Sequence, residues 1–110
     1  MDKFRIMFLR DKANQPVGCV AITLNKTSTK AKFNLTTLNP VDDFDRKLAR
    51  QLAIGRAVED PMVVTLPKDA SIHDVSAAVM KSIGESKTIP DRSRKAARRW
   101  LRSHSGKKSE

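Results

Sequence analysis

Three stretches of alternating apolar and polar residues fall within the first 36 positions, and they constrain the fold more than any other feature of the chain. In residues 3–10, Phe4, Ile6 and Phe8 share one side while Lys3, Arg5, Met7 and Leu9 share the other. In residues 17–24, Val20, Ile22 and Leu24 oppose Cys19, Ala21 and Thr23; in 31–36, Ala31, Phe33 and Leu35 oppose Lys32, Asn34 and Thr36. A period of two over such lengths is that of a half-buried strand. The intervening residues 11–16 and 25–30 are polar and contain Asp, Asn, Pro or Ser, which favour turns. Consecutive strands joined this closely pair as an antiparallel meander, with one face apolar and the other open to water. The exposed face would carry Lys3, Arg5, Thr23, Lys32, Asn34 and Thr36.

Beyond the third strand the period changes. Asn39-Pro40 offers an N-cap and a first-turn proline, and Asp42, Asp43 and Asp45 suit the positive end of a helix dipole, so a helix is expected over 41–58. Its stripe of Val41, Phe44, Leu48, Leu52 and Gly55 would pack on the sheet, with Arg46, Arg50 and Ala57 pointing elsewhere. Asp42 and Asp43 precede Arg46 and Lys47 by four residues, an arrangement that neutralises part of the helix's charge locally. Residues 62–66 form a short β-branched run before Pro67, read as a fourth strand on the sheet edge. Such an edge could pair between two copies and give a homodimer. Ser71 and Asp74 have capping-box spacing, and Ile72, Val75, Val79 and Ile83 then recur at helical intervals up to Gly84. A third helix is expected from about 89 to 104, and a disordered tail over 105–110.

The fold class is therefore α+β: a three-stranded antiparallel meander with a short fourth edge strand, packed by helices and followed by a basic amphipathic C-terminal helix. The organisation expected is a core domain over residues 1–86, with the basic helix and tail in 87–110. At 110 residues the chain has room for one core and excludes a two-domain enzyme.

Charge is distributed unevenly. Residues 1–86 hold thirteen basic and ten acidic side chains, a net +3, whereas residues 87–110 hold nine and two, a net +7, giving +10 in all. A helical projection of 89–104 places Ile89, Ala96, Ala97, Trp100, Leu101 and His104 on one arc and Arg92, Arg94, Lys95, Arg98, Arg99 and Arg102 on the other. Six cations on one face, opposed nearby only by Asp91, repel one another, and a row of phosphates would relieve that repulsion. Five of the six are arginine, whose planar fork matches phosphate oxygens and guanine edges. Arg5, Lys30 and Lys32, on or beside the sheet, are secondary candidates for the same contact.

Other chemistry finds little support. Trp100 shares its arc with Ala97 and Leu101 and reads as a core anchor; Phe4, Phe8, Phe33 and Phe44 fall on faces assigned to the core. The stacking platform usual in single-strand binders is thus poorly represented. Cys19 beside Gly18 reads as a small filler, and one cysteine with two separated histidines has no zinc spacing. His73 and Asp74 are adjacent on a helix and face different directions, so they do not form a catalytic pair. Four scattered glycines make no phosphate loop. No enzymatic activity, cofactor or metal is expected. No apolar run approaches the 18 or so residues a membrane span needs, and the N-terminus lacks a signal peptide's apolar block, so a soluble, intracellular protein is expected. Small size and basic charge also suit a phage-encoded protein acting in a host cytoplasm.

The functional expectation is a non-enzymatic nucleic-acid-binding protein of low sequence specificity, favouring duplex DNA over single-stranded DNA or RNA. The alternative, with the same charge signature, is a small inhibitor or adaptor whose basic helix docks on an acidic protein surface.

Overall fold

The structure is a computed structural model that describes residues 4–23, 29–38, 45–66 and 70–105. The elements follow in the order β1 (Phe4–Arg10), β2 (Pro16–Thr23), β3 (Lys30–Thr37), α1 (Arg46–Glu59), β4 (Met62–Thr65), α2 (Ile72–Glu85) and α3 (Asp91–Ser105). The four strands make one open antiparallel sheet in the order β1-β2-β3-β4. The fold is α+β, and the short fourth strand takes the edge beyond β3. Among the described residues no helix is long and apolar enough to cross a membrane.

Both faces of the sheet are covered, which overturns the expectation of one wet face. On the first, Met7, Leu9, Val20, Ile22, Phe33 and Leu35 pack against Val79, Met80 and Ile83 of α2 and Ala96 and Ala97 of α3. On the second, Cys19 and Ala21 meet Ala49, Ala53 and Ala57 of α1, flanked by Phe4, Ile6 and Phe8. The two faces differ in side-chain volume. Large residues on the first fill the space under a pair of helices; small residues on the second allow one helix to approach closely. Accordingly Arg5, Asn34 and Thr36 are not the exposed residues expected. Arg5 lies on the α2 side and donates from Nε to Ser76 Oγ at 2.9 Å. Thr36 is buried. Asn34 sits under the end of α1, where its Nδ2 donates to the Asp60 carbonyl at 2.7 Å, while Arg56 Nη1 reaches back to the Leu35 carbonyl at 3.3 Å. These bonds serve carbonyls that a helix C-terminus and a half-paired strand would otherwise leave open.

The first helix departs most from expectation. It begins at Arg46 rather than residue 41, and its N-cap is Asp45, whose carboxylate accepts from the Leu48 amide at 3.1 Å. Asn39, Pro40, Val41, Asp42, Asp43 and Phe44 lie outside the described residues, and with them the expected cap and acid-first pairs. Its buried stripe is Ala49, Ala53 and Ala57; Leu48 and Leu52, expected in the core, are 52% and 46% exposed. Helical spacing is satisfied by either stripe. The small Cys19 and Ala21 surface selects alanine.

In α2 the expected capping box is present: the Asp74 amide donates to Ser71 Oγ at 3.1 Å and the Ser71 amide to Asp74 Oδ2 at 3.0 Å. Gly84 does not stop the helix, which continues to Glu85. It is buried against α3, where an added Cβ would lie 3.0 Å from Arg98 Cγ. The expected boundary after residue 86 runs through continuous apolar packing, since Ile89, Ala96 and Ala97 are buried in the same cluster as α2, with Trp100 and Leu101 packed beside them. The tail beyond residue 105 lies outside the described residues.

Candidate nucleic-acid interface

Ser93, Ala96 and Ala97 face inward on α3, so residues on the opposite side of the helix turn outward by geometry alone. A cleft of about 580 Å³ runs between that outward side and the turn joining β1 to β2. Its floor is Val17, Ala13 and Ala96, and its walls carry Lys12, Arg92, Lys95, Arg98, Arg99 and Arg102. Asp11 is the one acid lining it among the described residues. That carboxylate is already used within the turn, where Oδ1 accepts from the amides of Ala13 at 2.9 Å and Gln15 at 3.0 Å. Asn14, with φ of 64°, takes the left-handed conformation that asparagine tolerates better than most residues, and its carbonyl accepts from Arg10 Nη1 at 3.1 Å. The turn is thereby fixed, and it holds Lys12 exposed opposite α3.

The six cations expected on one helix face divide by what their donors do. Arg92 is half-buried and gives Nη1 to the Leu38 carbonyl. Arg98 gives both Nε and Nη2 to the Gly84 carbonyl, at 3.0 and 2.7 Å, closing the C-terminal end of α2. Arg94 pairs with Asp91 at 2.8 Å and does not line the cleft; its Nε is buried with no partner among the described residues. Lys95 pairs with Asp91 at 3.1 Å. The hydrogen bond from Lys95 chiefly, with the charges of Lys95 and Arg94, holds the Asp91 carboxyl below the ordinary aspartate value against the opposing effect of desolvation. Arg99 and Arg102 are exposed and make no hydrogen bond or ion pair among the described residues, which leaves their guanidinium groups presented to solvent.

The secondary candidates are dispersed. Arg5 is committed to Ser76 on the covered face of the sheet. Lys30 and Lys32 are exposed at the start of β3, opposite Thr65 and Val63 of β4, and neither lines the cleft. Sequence reasoning missed Lys12. Its only signal was a lysine within a turn of fixed chemistry, Asp-Lys-Ala-Asn, which says nothing of the helix it faces.

The other side chains weighed from the sequence have structural surroundings. Trp100 packs beside the core and stacks on His73, with ring centroids 5.9 Å apart and planes at 30°. His73 is thus engaged with an aromatic ring. Cys19 is fully buried, and burial raises its thiol to about 11 against a smaller lowering by Arg50. A thiol held protonated in this way is a poor nucleophile. Among the described residues, no three His, Cys, Asp or Glu side chains come together as a metal site would require. Comparison with family models, with curated proteins and with solved structures found no match to this chain.

Proposed function

We propose that this chain is a non-enzymatic nucleic-acid-binding protein that holds the phosphate backbone of duplex DNA in the cleft between α3 and the β1–β2 turn, with little sequence preference. One observation carries the reading: six cations line a single cleft whose only carboxylate among the described residues is bonded internally to its own turn. Neutralising phosphates releases condensed counterions, a driving force available to any cationic cleft of this kind and indifferent to sequence. Arg99, Arg102 and Lys12 contribute their full hydrogen-bonding capacity. Arg92, Lys95 and Arg98 contribute charge and whatever donors their structural bonds leave over. The fifteen residues of α3 extend about 22 Å, enough to cross the backbone of a duplex. Duplex is favoured over single strands because Trp100, the one aromatic on α3, packs beside the core and has a ring face taken up by His73, which makes it a poor platform for bases.

The test is fluorescence anisotropy with labelled duplex DNA, single-stranded DNA and RNA across a salt series, using wild type and Arg99→Gln/Arg102→Gln. The slope of log affinity against log salt on duplex DNA should fall by about 1.8 units in the double variant, at about 0.9 per phosphate contact. The loss should be the same for unrelated sequences. Wild type without measurable duplex binding, together with capture of an acidic protein that the double variant fails to capture, would replace this reading with an adaptor role.

A further inference from the structure

The cleft beside α3 does not account for all the cationic surface of the molecule. On the opposite face of the sheet, the start of α1 presents Arg46, Lys47 and Arg50 around a second cleft of about 500 Å³ floored by Ile6 and Phe8 of β1. A third, of about 320 Å³, lies on the α3 side and includes Phe8, Arg10 and Arg99. Phe8 lines both, and β1 is an outer strand of the sheet. The two clefts therefore meet along the β1 edge. Arg10, two residues beyond Phe8, lines the third cleft, where the ladder with β2 shifts register between Leu9 and Arg10. Irregularities of this type on an edge strand block further strand pairing and re-aim the side chain.

The cations on α1 are placed against the helix's own stability. Its first turn contains no acidic residue, while Arg46 and Lys47 occupy it, at the end where the macrodipole is positive. No acidic side chain among the described residues pairs with Arg46, Lys47 or Arg50. The Arg46 guanidinium instead lies over the Phe8 ring, 5.3 Å from its centroid, which fixes its position beside the strand edge. The N-cap carboxylate of Asp45 already answers the positive end of this helix, so an anion at this point would offset chiefly the mutual repulsion of the three cations.

We infer that the edge of β1 is itself part of the nucleic-acid contact, with one duplex touching Arg99 on the α3 side, Arg10 at the edge, and Arg46 and Arg50 on the α1 side. This rests on the function proposed above and extends its footprint around the sheet edge. The two sets of contacts are separable by mutation, because they lie on different helices and different faces.

The experiment measures the salt dependence of binding to a short duplex by full-length protein, comparing Arg46→Gln/Arg50→Gln with Arg46→Lys/Arg50→Lys and with Arg99→Gln/Arg102→Gln. Thermal melts of each variant establish that it is folded. The expected result is a fall in slope of about 1.8 units for the α1 glutamine pair, at about 0.9 per contact, and near wild-type slope for the α1 lysine pair, which keeps the charge. An unchanged slope for the α1 glutamine pair, alongside a reduced one for the α3 pair, would overturn the extended footprint and leave the α3 cleft as the site. An equal fall for the glutamine and lysine pairs would also overturn it, since packing on Phe8 rather than charge would then be what was lost. If neither glutamine pair changed the slope, the nucleic-acid reading itself would fail.

Discussion

Replacing Leu48 by alanine should cost the protein less than replacing Ala53 by leucine, although sequence periodicity favours the reverse. Leu48 is 52% exposed, so only about half of the 1.5–3 kcal/mol available from burying a leucine is at stake, or about 1 kcal/mol. Ala53 has no exposed surface and lies in the contact between α1 and Cys19 and Ala21. Leucine there inserts three further carbons into a seam already closed by small residues. The overpacking should cost about 1–3 kcal/mol or more, because α1 must lift from the sheet or shift along it. Lifting would also strain the bonds that Asn34 and Arg56 make at its C-terminal end. At about 4–8 °C per kcal/mol for a domain near this size, the melting temperature should fall by about 5–20 °C for Ala53→Leu and by less than about 8 °C for Leu48→Ala. Urea denaturation followed by circular dichroism gives the two free energies directly. A Leu48→Ala loss in the 2–5 kcal/mol range typical of buried leucine, with Ala53→Leu near wild type, would show that α1 buries the leucine stripe and would refute the alanine seam.

Removal of residues 87–110 should abolish cooperative unfolding, because it strips Ile89, Ala96, Ala97, Trp100 and Leu101 from a cluster whose loss exceeds a total stability of about 5–15 kcal/mol; a surviving sharp thermal transition would mean α3 is an appendage. Gly84→Ala should be neutral or destabilising in the wild type, yet stabilising by about 1 kcal/mol in an Arg98→Ala background, where helix propensity acts without the clash at Arg98 Cγ; a double-mutant cycle with no coupling would contradict that contact. Cys19 should resist thiol reagents in the native state. Because its folded thiol titrates at about 11, above the unfolded value of 9.0, the unfolded state loses its proton first as pH rises. Its contribution to stability is thus complete below pH 9 and declines between 9 and about 11, so Cys19→Ala should flatten the stability profile over that interval.

How far each part of the molecule was legible depended on whether the deciding interaction was local. The capping box of α2 involves Ser71 and Asp74 three residues apart, and the turn at Asp11 closes within five residues; both follow from nearby chemistry. The edge strand β4 could be recognised from β-branching bounded by prolines. The buried face of α1 could not be chosen from periodicity, because Leu48/Leu52 and Ala49/Ala53/Ala57 satisfy the helical repeat equally. The deciding information lay in β2, where Cys19 and Ala21 make one face too shallow for large residues while Val20 and Ile22 make the other deep. The same two apolar faces forbade a wet side to the sheet and so removed Arg5 from the candidate surface. Helical projection placed Ala96 and Ala97 on the packed arc, where they lie, but gave Arg92 and Arg94, which are half-buried, to the open one. It could not reveal that the C-terminal carbonyl of α2 arrives beside Arg98, or that a lysine eighty residues away closes the cleft from the other side.

Arginine's use within the fold bears on how selective the proposed contact can be. Direct base readout requires a guanidinium free to offer two parallel N–H groups to a base edge. Arg98 has already turned its Nε and Nη2 to the Gly84 carbonyl, Arg94 is held by Asp91, and Arg92 is tied to Leu38. The bonds to carbonyls consume directional donors and leave the positive charge in place, whereas Asp91 offsets one of the two charges of Arg94 and Lys95. The long-range field that would draw a polyanion to the cleft depends on charge alone, and the carbonyl bonds of Arg92 and Arg98 do not diminish it. Base discrimination depends on free, aligned donors, and among the arginines of α3 it is reduced to what Arg99 and Arg102 can supply. In the proposed role, a protein built in this way would gather phosphates efficiently and read bases poorly. On that proposal, low sequence specificity would follow from the same arginine bonds that fasten α3 to the body of the fold.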